Sequence, residues 1–163
     1  MIENAENYSE VRSKAVSFIG ISHKSSGRVR DFLLRSGVEQ SLADQVVDTL
    51  ITDGYIDDLR VARSIVSTRQ GKKTESTSRL RQRLFAYGIP DQAVFDLMEE
   101  IPMDSITIEH LVNEKYKNVD FSSFDSDELN SWMMSALRFL SSRGFSSNLS
   151  LSAIKKFIAS NEL

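Results

Sequence analysis

The sequence contains no cysteine, only two prolines and no long apolar run. Without cysteine, disulfides, thiol nucleophiles and cysteine-ligated metal sites are excluded. No uninterrupted apolar stretch approaches the roughly 20 residues that a membrane-spanning helix needs. The N-terminus, MIENAENYSE, is polar and acidic and lacks the apolar segment of a secretory signal. We therefore expect a cytoplasmic protein that does not associate with membranes.

The chain also lacks a strong net charge, at −3, but its charges are segregated along the sequence. Residues 11–35 carry six basic side chains and one acidic one, and residues 39–58 carry six acids and no base. The pattern then recurs, because residues 60–83 carry eight bases and one acid, and residues 84–109 carry six acids and no base. Blocks that alternate in this way indicate an internal duplication.

A direct comparison of segments supports the duplication. SGRVRDFLLRSGV at 26–38 matches TSRLRQRLFAYGI at 77–89, an offset of 51 residues. The matched positions are Arg28 and Arg79, Arg30 and Arg81, Leu33 and Leu84, Gly37 and Gly88, and Val38 and Ile89. A weaker copy, SALRFLSSRGF at 135–145, keeps the leucine, the glycine and the apolar residue after it. Three copies of one pattern predict three tandem repeats.

Each copy is predicted to form two helices around a glycine turn. Apolar residues three and four apart, such as Val29 and Leu33, are typical of helices. Gly37, Gly88 and Gly144 stand where the first helix must end, because glycine adopts the left-handed C′ conformation without a Cβ penalty.

A further apolar helical segment precedes each pair, which gives three helices in each repeat and an all-α fold. The predicted organisation is a flexible N-terminal tail at 1–9 and three-helix, helix-turn-helix-like repeats at 10–57, 58–104 and 105–163.

The stretch GYIDDLRVAR, residues 54–63, places two carboxylates beside two arginines and is compatible with two interpretations. One is a fragment of an active site, in which Asp57 and Asp58 hold a metal or a proton. The other is a helix start, with Asp57 at the N-cap and Asp58 in the first turn, where the helix dipole favours negative charge. Gly54 would end the preceding helix and Tyr55 would pack behind it. We favour the helix start, because it accounts for all ten residues without catalysis.

No other motif indicates catalysis. The sequence has no phosphate-cradling glycine loop, nucleophile elbow or zinc-binding helix motif. His23 and His110 are each isolated from other ligand types at metal-binding spacing. We predict no catalytic, cofactor or metal site, and no enzyme.

Several aromatic side chains are candidates for stacking on nucleic-acid bases, as in proteins that bind single strands. Large aromatics at helical spacing belong more often to the core, which we favour here. The residues concerned are Tyr87, Phe121, Phe124, Trp132 and Phe145.

GYIDDLRVAR, followed by Arg69 and by the helix SRLRQRLFAYGI, resembles the repeat junction of the RecX family, bacterial regulators of the RecA recombinase. SSRGF at 141–145 resembles the turn of that family's third repeat. The residues that match the family's pattern are Arg60, Ala62, Arg69, Arg79 and Arg81. The resemblance covers about Ala15 to Phe157. The chain departs from the pattern at Gly71, where the family has a glycine pair, at Val61, where it has an aromatic residue, and in the serine-rich FSSFDSDELN stretch.

The resemblance implies an elongated, curved, solenoid-like crescent of three tandem three-helix units. It also implies a monomeric, non-enzymatic regulator that binds the RecA–single-stranded DNA filament, in its groove or at its growing end. Such binding would suppress RecA's ATPase, strand exchange and SOS and recombination activity. The resemblance alone names RecA as the partner, and the negative net charge leaves room only for weak direct binding to DNA.

The basic segment from Arg60 to Arg83 is the best candidate for this contact. A basic strip gains from phosphate groups by Coulomb attraction and counterion release, and arginine binds phosphate or carboxylate in a bidentate manner. The alternative is an ordinary solvated helix surface, but few acids lie near enough in sequence to pair with these bases. The predicted contact residues are Arg60, Arg63, Arg69, Lys72, Lys73, Arg79, Arg81 and Arg83, with Arg28 and Arg30 as a smaller cluster.

Two other classes of function stay open. Helix-turn-helix units with basic second helices can enter a DNA major groove as stand-alone modules, although the negative net charge and the lack of a dimerisation heptad disfavour this. An α-repeat scaffold for some other protein is the third class. The acidic segments either pair with the basic ones across repeat interfaces or keep the protein off random nucleic acid.

Overall fold

A computed structural model describes residues 2–161 of the chain, with side chains from residue 7 onward. Within this part it has nine α-helices, a short 3₁₀ turn at Gly71–Lys73 and no β-strand, which confirms the all-α prediction. The helices are α1 (Ile2–Ile19), α2 (Ser26–Arg35), α3 (Gln40–Thr52), α4 (Asp58–Ser67), α5 (Thr77–Ala86), α6 (Asp91–Glu100), α7 (Asp104–Tyr116), α8 (Ser126–Ser141) and α9 (Ser147–Asn161).

The first helix is longer than its apolar pattern suggests. α1 begins at Ile2, inside the stretch 1–9 that was predicted to be a flexible tail. Among its described side chains, residues 7–19, the buried ones are Val11, Ala15 and Ile19, spaced four residues apart. Because residues 2–10 contain neither proline nor glycine, nothing in their sequence prevents the helix from beginning before Val11.

Glycine ends the first helix of each predicted pair, as the sequence indicates. Gly37, Gly88 and Gly144 have φ angles of 82°, 72° and 87°, in the left-handed region. The amide after each glycine donates back into the last turn, as Val38 N–H does to the carbonyl of Leu33 at 3.1 Å. This is the hydrogen bond of a Schellman-type C-cap, and it turns the chain towards the next helix.

The described chain divides into two compact units. The first comprises residues 2–65 and Gln82–Met98, and the second comprises Val66–Arg81 and residues 99–161. Both α4 and α5 therefore contribute residues to each unit. The repeat boundaries at 10–57, 58–104 and 105–163 stay a prediction.

In the first unit, α1, α2 and α3 enclose an aliphatic core. Leu33 and Leu50 are fully buried there, with valines and alanines between them. Phe18 and Phe32 stack at its edge with ring centroids 4.0 Å apart. The core residues are Val11, Ala15, Ile19, Val29, Leu33, Ala43, Val46, Val47, Leu50 and Ile56.

In the second unit, α7, α8 and α9 enclose an aromatic core. The Trp132 ring centroid lies 4.8 Å from that of Phe121 and 5.1 Å from that of Tyr116. Burial raises the pKa of the Tyr116 phenol. Phe124 packs against the same cluster and Phe145 is buried in it, so the core interpretation is confirmed for all these predicted aromatics except Tyr87.

The serine-rich connection before α8 contributes to this core as well. It supplies the buried Phe121, and its last residue, Asp125, caps α8 in a capping box with Glu128. Asp127 and Glu128 lie in the first turn of α8, where the helix dipole favours their charge.

Candidate partner-binding surface

The two carboxylates of GYIDDLRVAR start a helix, as predicted. Asp57 Oδ1 accepts a 2.9 Å hydrogen bond from the Arg60 amide, the bond of an N-cap on α4. Asp58 lies in the first turn of α4 and has a second contact that the sequence did not indicate. Its Oδ1 accepts a 2.8 Å hydrogen bond from the Ser26 amide at the start of α2. The pair is therefore structural and holds one helix start against another.

A buried serine organises the same region of the first unit. Ser25, which is 1% exposed, caps α2 by accepting a 3.2 Å hydrogen bond from the Arg28 amide. Its hydroxyl also donates a 2.6 Å bond to the carbonyl of Tyr87, the last residue before Gly88.

Two backbones also approach closely in this region. The Gly27 amide donates to the Gly88 carbonyl at 3.2 Å. A Cβ at Gly27 would lie 2.4 Å from that carbonyl oxygen, so only glycine fits. We call the region formed by Ser25–Arg28, Asp58 and Tyr87–Gly88 the first junction.

The second unit repeats two of these contacts and makes a third with a different donor. Ser76, which is fully buried, accepts from the Arg79 amide at 3.2 Å, and its own amide donates to the carbonyl of Arg143 at 3.0 Å. The Thr77 amide donates to Asp104 Oδ1 at 2.8 Å, as Ser26 does to Asp58. We call this region, with Gly144, the second junction.

Sequence reasoning missed both serines, although they share the offset of 51 residues that relates the two matched segments. They stand one residue before those segments begin. The recurrence of the serine cap and of the amide-to-aspartate bond supports an internal duplication independently of the apolar pattern.

Each junction positions an arginine next to a turn. In the first junction, the Arg28 guanidinium lies over the exposed Tyr87 ring, 4.6 Å from its centroid. In the second, the Arg79 side chain packs against Gly144, where an added Cβ would lie 3.1 Å from Arg79 Cβ. The turn residue there is Arg143, whose guanidinium lies 4.7 Å from the Phe139 centroid. Arg143 was not among the predicted contact residues, although it precedes the glycine of the SSRGF turn.

Acids of the first acidic segment pair with some of the nearby cations. Arg30 Nε lies 2.7 Å from Asp44 Oδ1, and Arg12 donates a 2.8 Å hydrogen bond to Asp53. The bond to Asp53 raises the pKa of Arg12 above its ordinary value. Arg30 is therefore engaged within its own repeat, which weakens its candidacy as a partner contact.

The predicted basic segment lies on four successive pieces of chain. Arg60 and Arg63 are on α4, Arg69 follows it, and Lys72 and Lys73 form the 3₁₀ turn. The remaining three, Arg79, Arg81 and Arg83, are on α5. Arg69 and Arg83 are half-buried and the others are exposed.

Several of these side chains form no ion pair with any described residue. Within residues 7–161, the structure shows no ion pair for the side chains of Arg60, Lys72, Lys73, Arg79 or Arg81. Arg60, Arg63 and Arg83 belong to the first unit and the others to the second. That the whole segment forms one surface stays a prediction.

Two further observations concern other kinds of site. In the described part of the chain, no group of three or more histidine, aspartate or glutamate side chains is arranged to hold a metal ion. Among the helices spanning 2–161, none is long and apolar enough to cross a membrane.

The fold defines a class, an all-α protein, and its candidate site is a set of exposed cations on α4, the 3₁₀ turn and α5. No protein-family model matches the chain. The regulatory protein RecX of Trichlorobacter lovleyi is 31% identical over 110 residues, which cover 66% of this chain and 69% of the relative. The chain therefore belongs to the RecX family of regulatory proteins, as the resemblance indicated.

Other similarities agree. The regulatory protein RecX of Prosthecochloris aestuarii is 27% identical over 115 residues, covering 71% of this chain and 74% of the relative. The crystal structure of RecX from Lactobacillus salivarius aligns with a TM-score of 0.63 over 93% of this chain and 97% of that one. At 18% identity, this likeness shows a shared fold.

Proposed function

We propose that this RecX-family chain regulates the RecA recombinase by binding the RecA–single-stranded DNA filament, in its groove or at its growing end. Binding suppresses RecA's ATP hydrolysis and strand exchange, and with them SOS and recombination activity. The chain acts as a cytoplasmic monomer, by occupying the filament and without catalysing a reaction.

The observation that carries this proposal is a set of exposed cations, Arg79 and Arg81 on α5 among them, that form no ion pair with any residue the structure describes. A nucleoprotein filament presents phosphates and carboxylates, both of which arginine binds through paired N–H groups. An exposed arginine without a carboxylate partner contacts such a group without first breaking an internal ion pair. Counterion release from the DNA adds to the affinity.

The overall charge favours a protein–DNA filament over naked DNA as the partner. The net charge of −3 and the acidic segments oppose general attraction to nucleic acid. A protein with a negative net charge and a few clustered cations is expected to bind best where a complementary protein surface adds to the attraction of the phosphates. Naked DNA at physiological salt is therefore expected to bind weakly.

Co-sedimentation tests the proposal. The chain is mixed with cognate RecA assembled on single-stranded DNA with a slowly hydrolysed ATP analogue, with RecA alone, and with duplex DNA. We expect it to pellet with the filament and not with the other two.

A charge-matched pair of variants locates the contact. Arg79→Gln/Arg81→Gln is expected to weaken pelleting, whereas Lys155→Gln/Lys156→Gln on α9, which removes the same charge, is expected to leave it unchanged. Tight binding to duplex DNA would favour the helix-turn-helix module instead. Indifference to both DNA and RecA would favour a scaffold for another protein.

A further inference from the structure

We propose that Arg28 and Tyr87 together bind one nucleotide of single-stranded DNA, with the arginine on a phosphate and the tyrosine ring against a base. The inference rests on the proposed function and deepens it, because it assigns the first junction to the DNA of the filament. Both side chains are exposed, and Tyr87 is 40% accessible.

The pair is held in place by buried main-chain contacts. Ser25 fixes the start of α2 through the Arg28 amide and fixes the turn at Tyr87 through that residue's carbonyl, at 3.2 and 2.6 Å. The hydrogen bond from the Gly27 amide to the Gly88 carbonyl also holds the start of α2 against this turn. Because these contacts involve the main chain of Tyr87, they leave its side chain exposed, and Arg28 lies over the ring. A positioned pair loses less conformational entropy on binding than two mobile side chains would.

The chemistry of the pair suits a nucleotide. A guanidinium that lies over an aromatic ring keeps its N–H edges available for bidentate contact with a phosphate. Within the described part of the chain, Arg28 has no ion pair, whereas Arg12 and Arg30 are occupied by Asp53 and Asp44. Aromatic rings beside such cations stack on bases of any sequence, which suits a filament that assembles on any single strand.

The molecule contains a similar arginine–tyrosine pair, Arg12 and Tyr55, whose arginine is already engaged in an ion pair. The Arg12 guanidinium lies 5.3 Å from the centroid of the Tyr55 ring, which is 44% exposed, but Arg12 is paired with Asp53. Tyr55 therefore offers a matched control in the same unit. The second junction has Arg143 in the position of Tyr87, and the ring beside its guanidinium, Phe139, is partly buried against the aromatic core and so less open to a base than Tyr87.

The test separates base stacking from phosphate contact. Binding of the full chain to a fluorescein-labelled 20-nucleotide dT strand is measured by anisotropy at low salt, beside a strand of equal length with abasic sites. Tyr87→Ala is expected to weaken dT binding about 5- to 100-fold and to leave abasic binding unchanged. Arg28→Gln is expected to weaken both and to lower the slope of log K against log salt by about 0.7. Tyr55→Ala is expected to change neither.

Three results of the anisotropy assay and one of co-sedimentation would overturn the inference. In the anisotropy assay they are no dT binding by the wild type at low salt, equal losses on both strands for Tyr87→Ala, or a loss for Tyr55→Ala equal to that for Tyr87→Ala. If Tyr87→Ala instead weakens only co-sedimentation with RecA filaments, the pair contacts protein and the inference is wrong. None of these results contradicts the proposed function, which is tested separately by co-sedimentation of the wild type with RecA filaments. Equal melting temperatures for all variants and the wild type check that no loss reflects unfolding.

Discussion

The hydroxyl of Ser25 donates a 2.6 Å hydrogen bond to the main-chain carbonyl of Tyr87, 62 residues further along the chain. The same oxygen accepts from the Arg28 amide and starts α2. Since Ser25 is 1% exposed, water cannot readily replace it as a partner for these two groups. One buried side chain thus caps a helix and joins the first matched segment to the second.

Ser25→Ala is expected to lower the free energy of unfolding by about 2 kcal/mol, since it removes a helix cap and leaves a buried carbonyl without its donor. Urea unfolding followed by circular dichroism measures the change. Ser36→Ala is the control, because Ser36 is an exposed serine just after α2 whose hydroxyl donates to the Phe32 carbonyl one turn earlier. It is expected to change stability by less than about 0.5 kcal/mol. Equal losses for the two variants would contradict the assigned role of Ser25.

Gly27→Ala is expected to destabilise the protein, although glycine to alanine in a helix normally stabilises by about 1 kcal/mol. The reason is the Gly88 carbonyl oxygen, which would lie 2.4 Å from the new methyl carbon and would have to move. Thermal unfolding gives the sign of the effect. Ser78→Ala, at the matching exposed position of the second segment, is expected to be neutral or slightly stabilising. A raised melting temperature for Gly27→Ala would show that the two backbones do not approach as described.

Phe157→Ala tests the aromatic core of the second unit. Phe157 is 4% exposed and its ring centroid lies 6.2 Å from that of Trp132. Deleting this ring leaves a cavity, with an expected loss of about 3–5 kcal/mol. Because Trp132 is the chain's single tryptophan, its fluorescence reports on the region of the cavity directly. Met134→Ala, at a side chain 55% exposed, is the control. Equal effects of the two changes would refute the assignment of Phe157 to the core.

Much of the fold was predictable because its signals are local. Gly88 ends a helix through its own φ angle and the bonds of the preceding turn, and Asp57 caps the helix that begins at the next residue. Such contacts join residues three to five apart, so a short stretch of sequence contains both partners.

The junction contacts were not predictable because their partners are far apart in sequence. Nothing near Ser25 identifies Tyr87 as its acceptor, and nothing near Asp58 identifies the Ser26 amide. Aromatic residues show the same difficulty, since Tyr87 and Trp132 both have helical spacing but only Trp132 is covered by a neighbouring element. Whether a side chain is buried depends on which other elements pack against its helix, and the sequence of that helix indicates this only in part.

The most direct test of the central claim is the single-stranded-DNA-dependent ATPase of the cognate RecA, measured with substoichiometric amounts of this protein. We expect the wild type and Lys155→Gln/Lys156→Gln to slow hydrolysis to the same extent. Arg79→Gln/Arg81→Gln is expected to slow it less, because α5 loses two exposed cations. An unchanged ATPase rate with the wild type, under conditions where the filament is intact, would contradict the proposed regulation of RecA.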